Sequence, residues 1–254
     1  MFHNSSKLGI VLQARLGSSR LPAKILLPID DEPLLFFIEK KFQYLNIPIL
    51  FAITNSERDD ELEAELRKRG AEFIRGSEKD VLSRFLLCAE KYSFNYIIRV
   101  CTDNPFINIF YLNELLKAFS NCNENVDYLS FSYKEKPVIL SHFGIFAEIV
   151  SVSALKQVYS DFSGRGDYRE HVTIGVYSNP DRFKVVLIPL DNELKKYEGL
   201  RLTIDTLEDY NNIIKIRRLR DFRDDMPFSE IGELILADNE IFESMRKIIE
   251  TNKK

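Results

Sequence analysis

Residues 8–24 read LGIVLQARLGSSRLPAK, an apolar run followed at once by a polar loop. The run 8–12 carries no polar side chain, which is typical of a strand buried on both faces of a sheet. The loop holds three cations, Arg15, Arg20 and Lys24, beside small residues. Backbone N–H groups together with Arg and Lys are suited to bind a polyphosphate. The loop alone fits two interpretations equally, a phosphate-binding loop or a solvated surface loop.

Apolar runs alternate with helical patterns through the first half of the chain. The predicted strands are 8–12, 47–53, 71–74 and 96–100, and the predicted helices are 33–45, 59–69, 80–92 and the stretch around 112–119. Strands that are apolar throughout and alternate with helices predict an α/β fold, a mostly parallel sheet with helices on both faces. Ligands bind such sheets at the carboxyl ends of the strands, so the loops after these strands are the candidate site.

The second half is less regular but continues the α/β pattern. Strands are predicted at 126–131, 144–150 and 183–188, helices at 152–159, 169–177 and 206–221, and one or two helices over 227–249. No internal repeat or composition break marks a linker. We therefore expect one domain over 1–254, with a nucleotide-binding half at 1–125 and an acceptor-binding half with the C-terminal helices at 126–254.

Composition and charge exclude several classes of protein. The 254 residues carry 35 Lys+Arg against 39 Asp+Glu, a net charge of −4, which argues against a nucleic-acid partner. No apolar stretch approaches the roughly 20 residues that span a bilayer, and no secretory signal is recognisable. Three widely spaced cysteines favour a reducing compartment, so we expect a cytoplasmic protein without a membrane partner. The chain contains neither a Walker loop nor a G-x-G-x-x-G fingerprint.

Two aspartates follow predicted strands. Asp103 stands in RVCTDNP after the strand 96–100, and Asp205 stands in LTIDT after an apolar run. One or two protein carboxylates, joined by substrate phosphates, are a usual ligand set for Mg²⁺. The alternative for both residues is structural, because an Asp in this position also starts turns and caps helices.

Six segments, in this order and spacing, resemble the cytidylyltransferases that activate acidic sugars. The resemblance is strongest to the spore-coat polysaccharide type and extends to the 3-deoxy-manno-octulosonate and acylneuraminate cytidylyltransferases. It implies a Rossmann-like nucleotide-diphospho-sugar transferase fold, with CTP and Mg²⁺ as co-reactants. The segments are 10–35 (IVLQARLGSSRLPAKILLPIDDEPLL), 73–85 (FIRGSEKDVLSRF), 97–107 (IIRVCTDNPFI), 143–150 (FGIFAEIV), 169–183 (REHVTIGVYSNPDRF) and 200–210 (LRLTIDTLEDY).

The resemblance also implies roles for individual residues. The predicted catalytic residues are Arg15, Arg20 and Lys24, which match positions that grip the triphosphate, together with Asp103. The predicted metal ligands are Asp103 and Asp205. The predicted nucleotide-binding residues are Gly17, Ser18, Gly76, Ser77, Asp80 and Arg84. Three positions depart from the common pattern, in which Gly is frequent at Ala23 and Thr102, and Pro at Leu207.

The acceptor side is predicted from the triplet Arg169, Glu170 and His171. An acidic acceptor requires a fixed cation, and Arg169 is the first candidate, with Glu170 or His171 bonding acceptor hydroxyls. The alternative is an Arg169–Glu170 pair on a solvated helix. Phe143, Ile145 and Phe146 fit either a core strand or the contact of a homodimer.

The predicted reaction is transfer of CMP from CTP to a hydroxyl of a sugar or sugar acid, with release of pyrophosphate, in surface polysaccharide biosynthesis. The alternatives are another nucleoside triphosphate, a phosphorylated or phosphonate acceptor, a glycosyltransferase of related fold, and a non-catalytic module that keeps only the fold. In-line transfer at phosphorus needs a metal and cations rather than a covalent nucleophile, in keeping with a chain that has only three histidines.

Overall fold

The computed structural model describes residues 7–122, 125–162 and 164–251. Among these residues the strands are β1 Leu8–Gln13, β2 Pro28–Ile29, β3 Glu32–Pro33, β4 Ile49–Thr54, β5 Phe73–Gly76, β6 Tyr96–Cys101, β7 Tyr128–Tyr133, β8 Lys136–Pro137, β9 Glu148–Ser151 and β10 Val185–Pro189. The main sheet has the order β10-β7-β9-β6-β1-β4-β5, and β8 pairs with β7 beside it.

Helices cover the sheet on both faces, as predicted. They are α1 Leu34–Lys40, α2 Asp60–Lys68, α3 Val81–Tyr92, α4 Ile109–Asn121, α5 Val152–Asp161, α6 Gly166–Glu170, α7 Ile174–Tyr177, α8 Asp191–Leu194, α9 Leu207–Arg217, α10 Phe228–Ala237 and α11 Asn239–Thr251. The core on one face includes α3, α5, α6 and α7, and the core on the other includes α1, α2, α4 and α9 to α11. No helix in the described part of the chain is both long and apolar enough to span a bilayer.

Strand β1 lies at the centre of the parallel part of the sheet. It pairs in parallel with β4 on one side and with β6 on the other. Ile10 and Leu12 belong to one core and Val11 to the opposite core, so the strand is buried on both faces. This double burial explains the apolar run of the sequence, and it places the loops after β1 and β6 side by side at one edge.

Strand β9 reverses the direction of the main sheet. It runs opposite to both β6 and β7, whereas β10 runs parallel to β7. The reversed direction brings the start of β9 beside the end of β6, so that Arg99 pairs in register with Glu148. The sheet is therefore mostly parallel, as expected, and β9 is the strand that runs in the opposite direction between β6 and β7.

Two predicted elements are wrong in detail. The helix expected over 169–177 is two short helices, α6 and α7, because the backbone of His171 has φ −102° and ψ 73° and Thr173 is drawn inward to bond Glu148. The strand expected over 144–150 begins only at Glu148. Gly144 has φ +62°, and a Cβ there would lie 2.8 Å from the carbonyl of Leu202. The segment before β9 is therefore irregular, and its backbone packs closely against that of Leu202.

Other element boundaries shift without changing the architecture. Helix α1 ends at Lys40 rather than at residue 45, and α9 ends at Arg217 rather than at 221. Of the one or two helices predicted over 227–249, two are formed, α10 and α11. Phe143, Ile145 and Phe146 are at most 5% exposed and belong to the core. They are therefore not available as the contact of a homodimer.

Candidate active site

Three chain segments meet at the carboxyl edge of the central strands. The Nζ of Lys24, from the loop after β1, lies 3.2 Å from Oδ2 of Asp103 and 3.3 Å from Oδ1 of Asp205. It also donates to the carbonyl of Ile204 at 2.7 Å. The backbone N–H of Ile204 in turn donates to the carbonyl of Asp103 at 2.8 Å. The loops after β1 and β6 therefore meet at this edge of the sheet, the rim, as the sequence predicts. The approach of Asp205 to the same rim is a finding of the structure.

Neither aspartate caps a helix, which was one of the two structural alternatives; the other, a position in a turn, does apply to Asp103. Helix α4 begins after Asn108, whose own side chain accepts the first N–H groups of the helix. Helix α9 begins after Thr206, which forms a capping box with Asp209. The side chains of Asp103 and Asp205 are consequently available to bind cations.

Asp205 is surrounded by positive charge. Arg20 Nη2 lies 2.9 Å from its Oδ1, and Arg201 Nη2 lies 2.9 Å from its Oδ2. Burial raises the pKa of Asp205, but the charges of Lys24, Arg20 and Arg201 outweigh burial and leave this pKa below its usual value. The carboxylate is therefore ionised at neutral pH, as a metal ligand must be.

Arg201 was not among the predicted site residues, yet it bonds Oδ2 of Asp205, the oxygen that Lys24 does not contact. Only 2% of its side chain is exposed, and its Nε donates to Oδ1 of Asp209 at 2.6 Å. Its Nη1 lies 2.8 Å from Nδ1 of His142. Since Arg is always charged, that ring nitrogen accepts, and both burial and the Arg201 charge lower the pKa of His142. His142 is thus a neutral acceptor that completes the surroundings of Arg201.

A buried carboxylate outside the predicted site shapes the first loop. Asp59, 1% exposed, accepts from the backbone N–H of Leu16 at 2.8 Å and from Thr54 Oγ1 at 2.6 Å, which ties the loop to the end of β4. Ala23 has φ +53° just before Lys24. This left-handed backbone accounts for the glycine that the family resemblance favours at this position, and Ala adopts it at a cost of about 1–2 kcal/mol.

The predicted nucleotide-binding residues lie in the loop after β1 and in the segment that runs from the end of β5 to the first turn of α3. Gly17 lies beside the loop after β5, because a Cβ at Gly17 would be 3.1 Å from Oε1 of Glu78. Arg84, 2% exposed, donates Nη1 to the carbonyls of Ser77 and Glu78 and supports that loop from within. Asp80 caps α3 by accepting from the N–H of Ser83 at 2.8 Å. The remaining predicted residues are Arg15, which is exposed, and Ser18 and Gly76, which are half-buried.

The three predicted acceptor residues differ in their surroundings. Arg169 lies flat on the ring of Tyr159, 3.5 Å from the centroid, and donates to the carbonyl of Tyr159 at 2.7 Å. Its Nη1 is 3.5 Å from Oδ2 of Asp80, so Arg169 lies against the start of α3. Glu170 and His171 are exposed. The alternative Arg169–Glu170 surface pair is not formed, because Arg169 is directed towards Asp80 and Tyr159.

A buried ion pair underlies the same region. Arg99 Nη1 donates to Oε1 of Glu148 at 2.5 Å, and Tyr128 Oη donates to Oε2 at 2.5 Å. Thr173 Oγ1, at the break between α6 and α7, donates to Oε1 at 3.0 Å. Burial and the Glu148 carboxylate raise the pKa of Tyr128, so its phenol stays protonated as a donor. The network joins β6, β7 and β9 to the segment that carries Arg169.

The donor set of the rim fits a metal shared with a substrate. Within the described residues, no group of three or more His, Cys, Asp or Glu side chains forms a metal site by itself. Asp103 and Asp205 instead converge on one ammonium group, that of Lys24. Two carboxylates of this kind suit Mg²⁺, which typically takes its other ligands from phosphates and water.

Comparison with known proteins identifies the family. The model of the family described as Cytidylyltransferase matches residues 9–241, nearly the whole chain. The chain belongs to the cytidylyltransferase family. This membership confirms the predicted enzyme class, and the matched residues include both aspartates and all three loop cations.

Individual relatives agree with this cytidylyltransferase assignment. The spore coat polysaccharide biosynthesis protein SpsF of Bacillus subtilis is 30% identical over 231 residues, which cover 89% of this chain and 92% of SpsF. A solved cytidylyltransferase from Leptospira borgpetersenii superposes with a TM-score of 0.79 at 28% identity, covering 93% of this chain and 97% of that one.

A more distant structure supports the fold. A CMP:2-keto-3-deoxy-manno-octonic acid synthetase, solved in complex with CTP, superposes with a TM-score of 0.60 over 83% of this chain and 98% of that one. At 16% identity this likeness concerns the fold alone. Together with the closer cytidylyltransferase structure, it confirms the predicted nucleotide-diphospho-sugar transferase fold.

Proposed function

We propose that this cytidylyltransferase transfers CMP from CTP to a hydroxyl of a sugar or sugar acid, with release of pyrophosphate, in surface polysaccharide biosynthesis. The convergence of Asp103, Asp205 and Lys24 at the carboxyl edge of the sheet carries the proposal. An acidic pair beside three cations suits a Mg²⁺–triphosphate rather than an uncharged ligand. The names of the relatives, polysaccharide biosynthesis among them, support the substrate class.

The reaction requires one bond to form and one to break. The acceptor oxygen attacks the α-phosphorus of CTP, the bond from that phosphorus to the bridging oxygen breaks, and pyrophosphate leaves with the electron pair. The hydroxyl proton passes to solvent. When bound, Mg²⁺ would neutralise charge on the phosphate oxygens. In this proposal Asp103 and Asp205 hold the metal, and Arg15, Arg20 and Lys24 bind the β- and γ-phosphates through charge-assisted hydrogen bonds.

The nucleoside is proposed to lie over the loop after β5. That loop is shaped by Arg84, which donates to backbone carbonyls, and by Asp80 at the start of α3. Gly17, Ser18, Gly76 and Ser77 provide backbone close to the ligand without bulky side chains. The contact between Gly17 and Glu78 brings this loop next to the phosphate-binding loop, as one nucleotide spanning both requires.

The first test is a pyrophosphate-release assay with each of the four common nucleoside triphosphates. Acceptors are a panel of 2-keto sugar acids, aldoses and phosphonates, assayed with Mg²⁺ and, as a control, with chelator or without acceptor. We expect release only with CTP, metal and a sugar or sugar-acid acceptor. Equal release with another triphosphate would contradict the nucleotide assignment, and release only with a phosphonate would contradict the acceptor assignment.

Arg169 is proposed as the cation that holds an acidic acceptor. Its guanidinium is fixed on Tyr159, while its Nη1 makes only a 3.5 Å contact with Asp80. Glu170 and His171 are exposed beside it and are proposed to bond acceptor hydroxyls. Gly164 and Gly166 have open space around them, so the segment can adjust to an acceptor.

Arg169→Ala is expected to lower kcat/KM for the acceptor by roughly 10- to 100-fold, because a charge-assisted contact is lost, while KM for CTP stays near normal. Steady-state kinetics with each substrate varied in turn measure both constants. Arg246→Ala is the matched control, because Arg246 pairs with Glu243 on α11 and is 48% exposed. If instead KM for CTP rises and the acceptor constants stay normal, Arg169 binds the nucleotide rather than the acceptor.

A further inference from the structure

We propose that Lys24 competes with the divalent cation for Asp103 and Asp205, so that the metal binds tightly only when a triphosphate draws the lysine away. The inference rests on the proposed function and adds an order of binding to it. It assigns Lys24 two successive partners, the carboxylates first and the triphosphate afterwards.

The contacts of Lys24 involve the carboxylate oxygens that a metal would need. Its ammonium has three donors, and three oxygens surround it, from Asp103 at 3.2 Å, Asp205 at 3.3 Å and the carbonyl of Ile204 at 2.7 Å. Only 15% of the side chain is exposed. Lys24 therefore uses one oxygen of each carboxylate that the metal would need, and its hydrogen-bonding capacity is filled.

Asp205 cannot offer its other oxygen without a second displacement. Oδ1 is shared by Lys24 and Arg20, and Oδ2 is bonded by Arg201 at 2.9 Å. Arg201 is buried and held by Asp209 and His142, so it cannot move aside readily. Lys24 is the mobile partner, because its ammonium stands on a flexible four-carbon stem.

Electrostatics then couples the metal to the nucleotide. A dication placed between the carboxylates would repel an ammonium only a few ångströms away, so the metal and Lys24 exclude each other from the same oxygens. A bound triphosphate offers Lys24 other anionic oxygens and removes this repulsion. Because binding coupling is reciprocal, the nucleotide raises the metal affinity by the same factor as the metal raises the nucleotide affinity.

The test is the affinity for Mn²⁺, measured by electron paramagnetic resonance of the free ion, in wild type and in Lys24→Met. Without nucleotide, Lys24→Met is expected to bind Mn²⁺ on the order of tenfold more tightly than wild type, because a competing cation is removed. CTP affinity in chelator, measured by calorimetry, is expected to fall by about tenfold. The same substitution is thus expected to raise the affinity for Mn²⁺ and to lower the affinity for CTP.

Two further variants show whether the gain in Mn²⁺ affinity comes from the loss of the Lys24 charge or from a rearrangement of the site by the new side chain. Lys24→Arg keeps a cation and is expected to bind Mn²⁺ as weakly as wild type, whereas Lys24→Gln is expected to follow Lys24→Met. Lys40→Met, at a 57% exposed lysine paired with Glu32, is the matched control and should leave both affinities unchanged. A Lys24→Met protein that binds Mn²⁺ alone no better than wild type would overturn the competition.

The outcome also distinguishes this inference from the proposed function. If wild type binds Mn²⁺ in the presence of CTP and releases pyrophosphate, but Lys24→Met shows no gain in Mn²⁺ affinity, only the competition fails. If wild type binds no Mn²⁺ even with CTP, the proposed metal role of the two aspartates fails as well.

Discussion

Asp103→Asn is expected to lower kcat by on the order of 10³-fold, since the substitution removes one negative ligand of the catalytic metal at nearly constant shape. Folding should be little affected, because the Asp103 side chain is 30% exposed and Lys24 keeps Asp205 and the carbonyl of Ile204 as partners. Pyrophosphate release at limiting and at saturating Mg²⁺ measures the loss, and thermal unfolding checks the fold.

The matched control is Asp225→Asn, the same change at a carboxylate that is 88% exposed and lies 3.7 Å from Arg223. It should retain wild-type turnover. Excess Mg²⁺ is expected to recover part of the Asp103→Asn activity, because Asp205 remains as a ligand. Wild-type turnover of Asp103→Asn at limiting Mg²⁺ would show that Asp103 is not a metal ligand.

The order of strands and helices was predictable because the pattern of apolar residues in each segment shows which of its faces are buried. Strands such as 8–12 are apolar throughout, and only a sheet covered on both faces hides such a strand completely. The direction of β9 was not predictable in this way. A short buried segment such as 148–151, in which Ile149 and Val150 are the apolar residues, can be buried equally well in either direction, and the path of the chain between β7 and β9 decides which one occurs.

The charged residues of the rim divide into two kinds. Asp103 stands two residues after the end of β6, and Lys24 lies in the longer loop that follows β1, so the topology of a parallel sheet brings both loops to one edge. Arg201 and Asp59 are buried charges whose partners are formed only in the fold, since Asp59 bonds Leu16 across 43 residues. The motif around Asp205 contains Arg201, and that position was the available signal for its role.

The break between α6 and α7 at 171–173 also depends on a partner that is distant in sequence. Val172 and Val176 keep the spacing of a helix face, and both are buried as a helix would bury them. The hydrogen bond from Thr173 to Glu148 competes with the helix, and its acceptor lies 25 residues away. Side-chain competition of this kind is not expressed in local periodicity, so the sequence pattern alone predicts a continuous helix.

Glu148→Gln is expected to lower the free energy of unfolding by about 3–5 kcal/mol, because it leaves the buried guanidinium of Arg99 without its counter-charge. Glu148 is 1% exposed and Arg99 is 8% exposed, so water cannot replace the lost partner. The bonds from Tyr128 and Thr173 to this side chain are weakened at the same time. Equilibrium unfolding in urea, followed by circular dichroism, measures the change.

The double variant Arg99→Met, Glu148→Gln tests the cause of that loss. It removes the unpaired charge, while the new side-chain amide at position 148 can still accept from Tyr128, so it should regain much of the lost stability. Glu240→Gln, at a 78% exposed glutamate paired with Lys215, is the surface control and should cost less than about 1 kcal/mol. A double variant no more stable than Glu148→Gln would mean that packing, rather than the uncompensated charge of Arg99, sets the cost. Loss of acceptor kinetics in the folded fraction of Glu148→Gln, with CTP binding retained, would further show that the network positions the segment from Arg169 to Thr173.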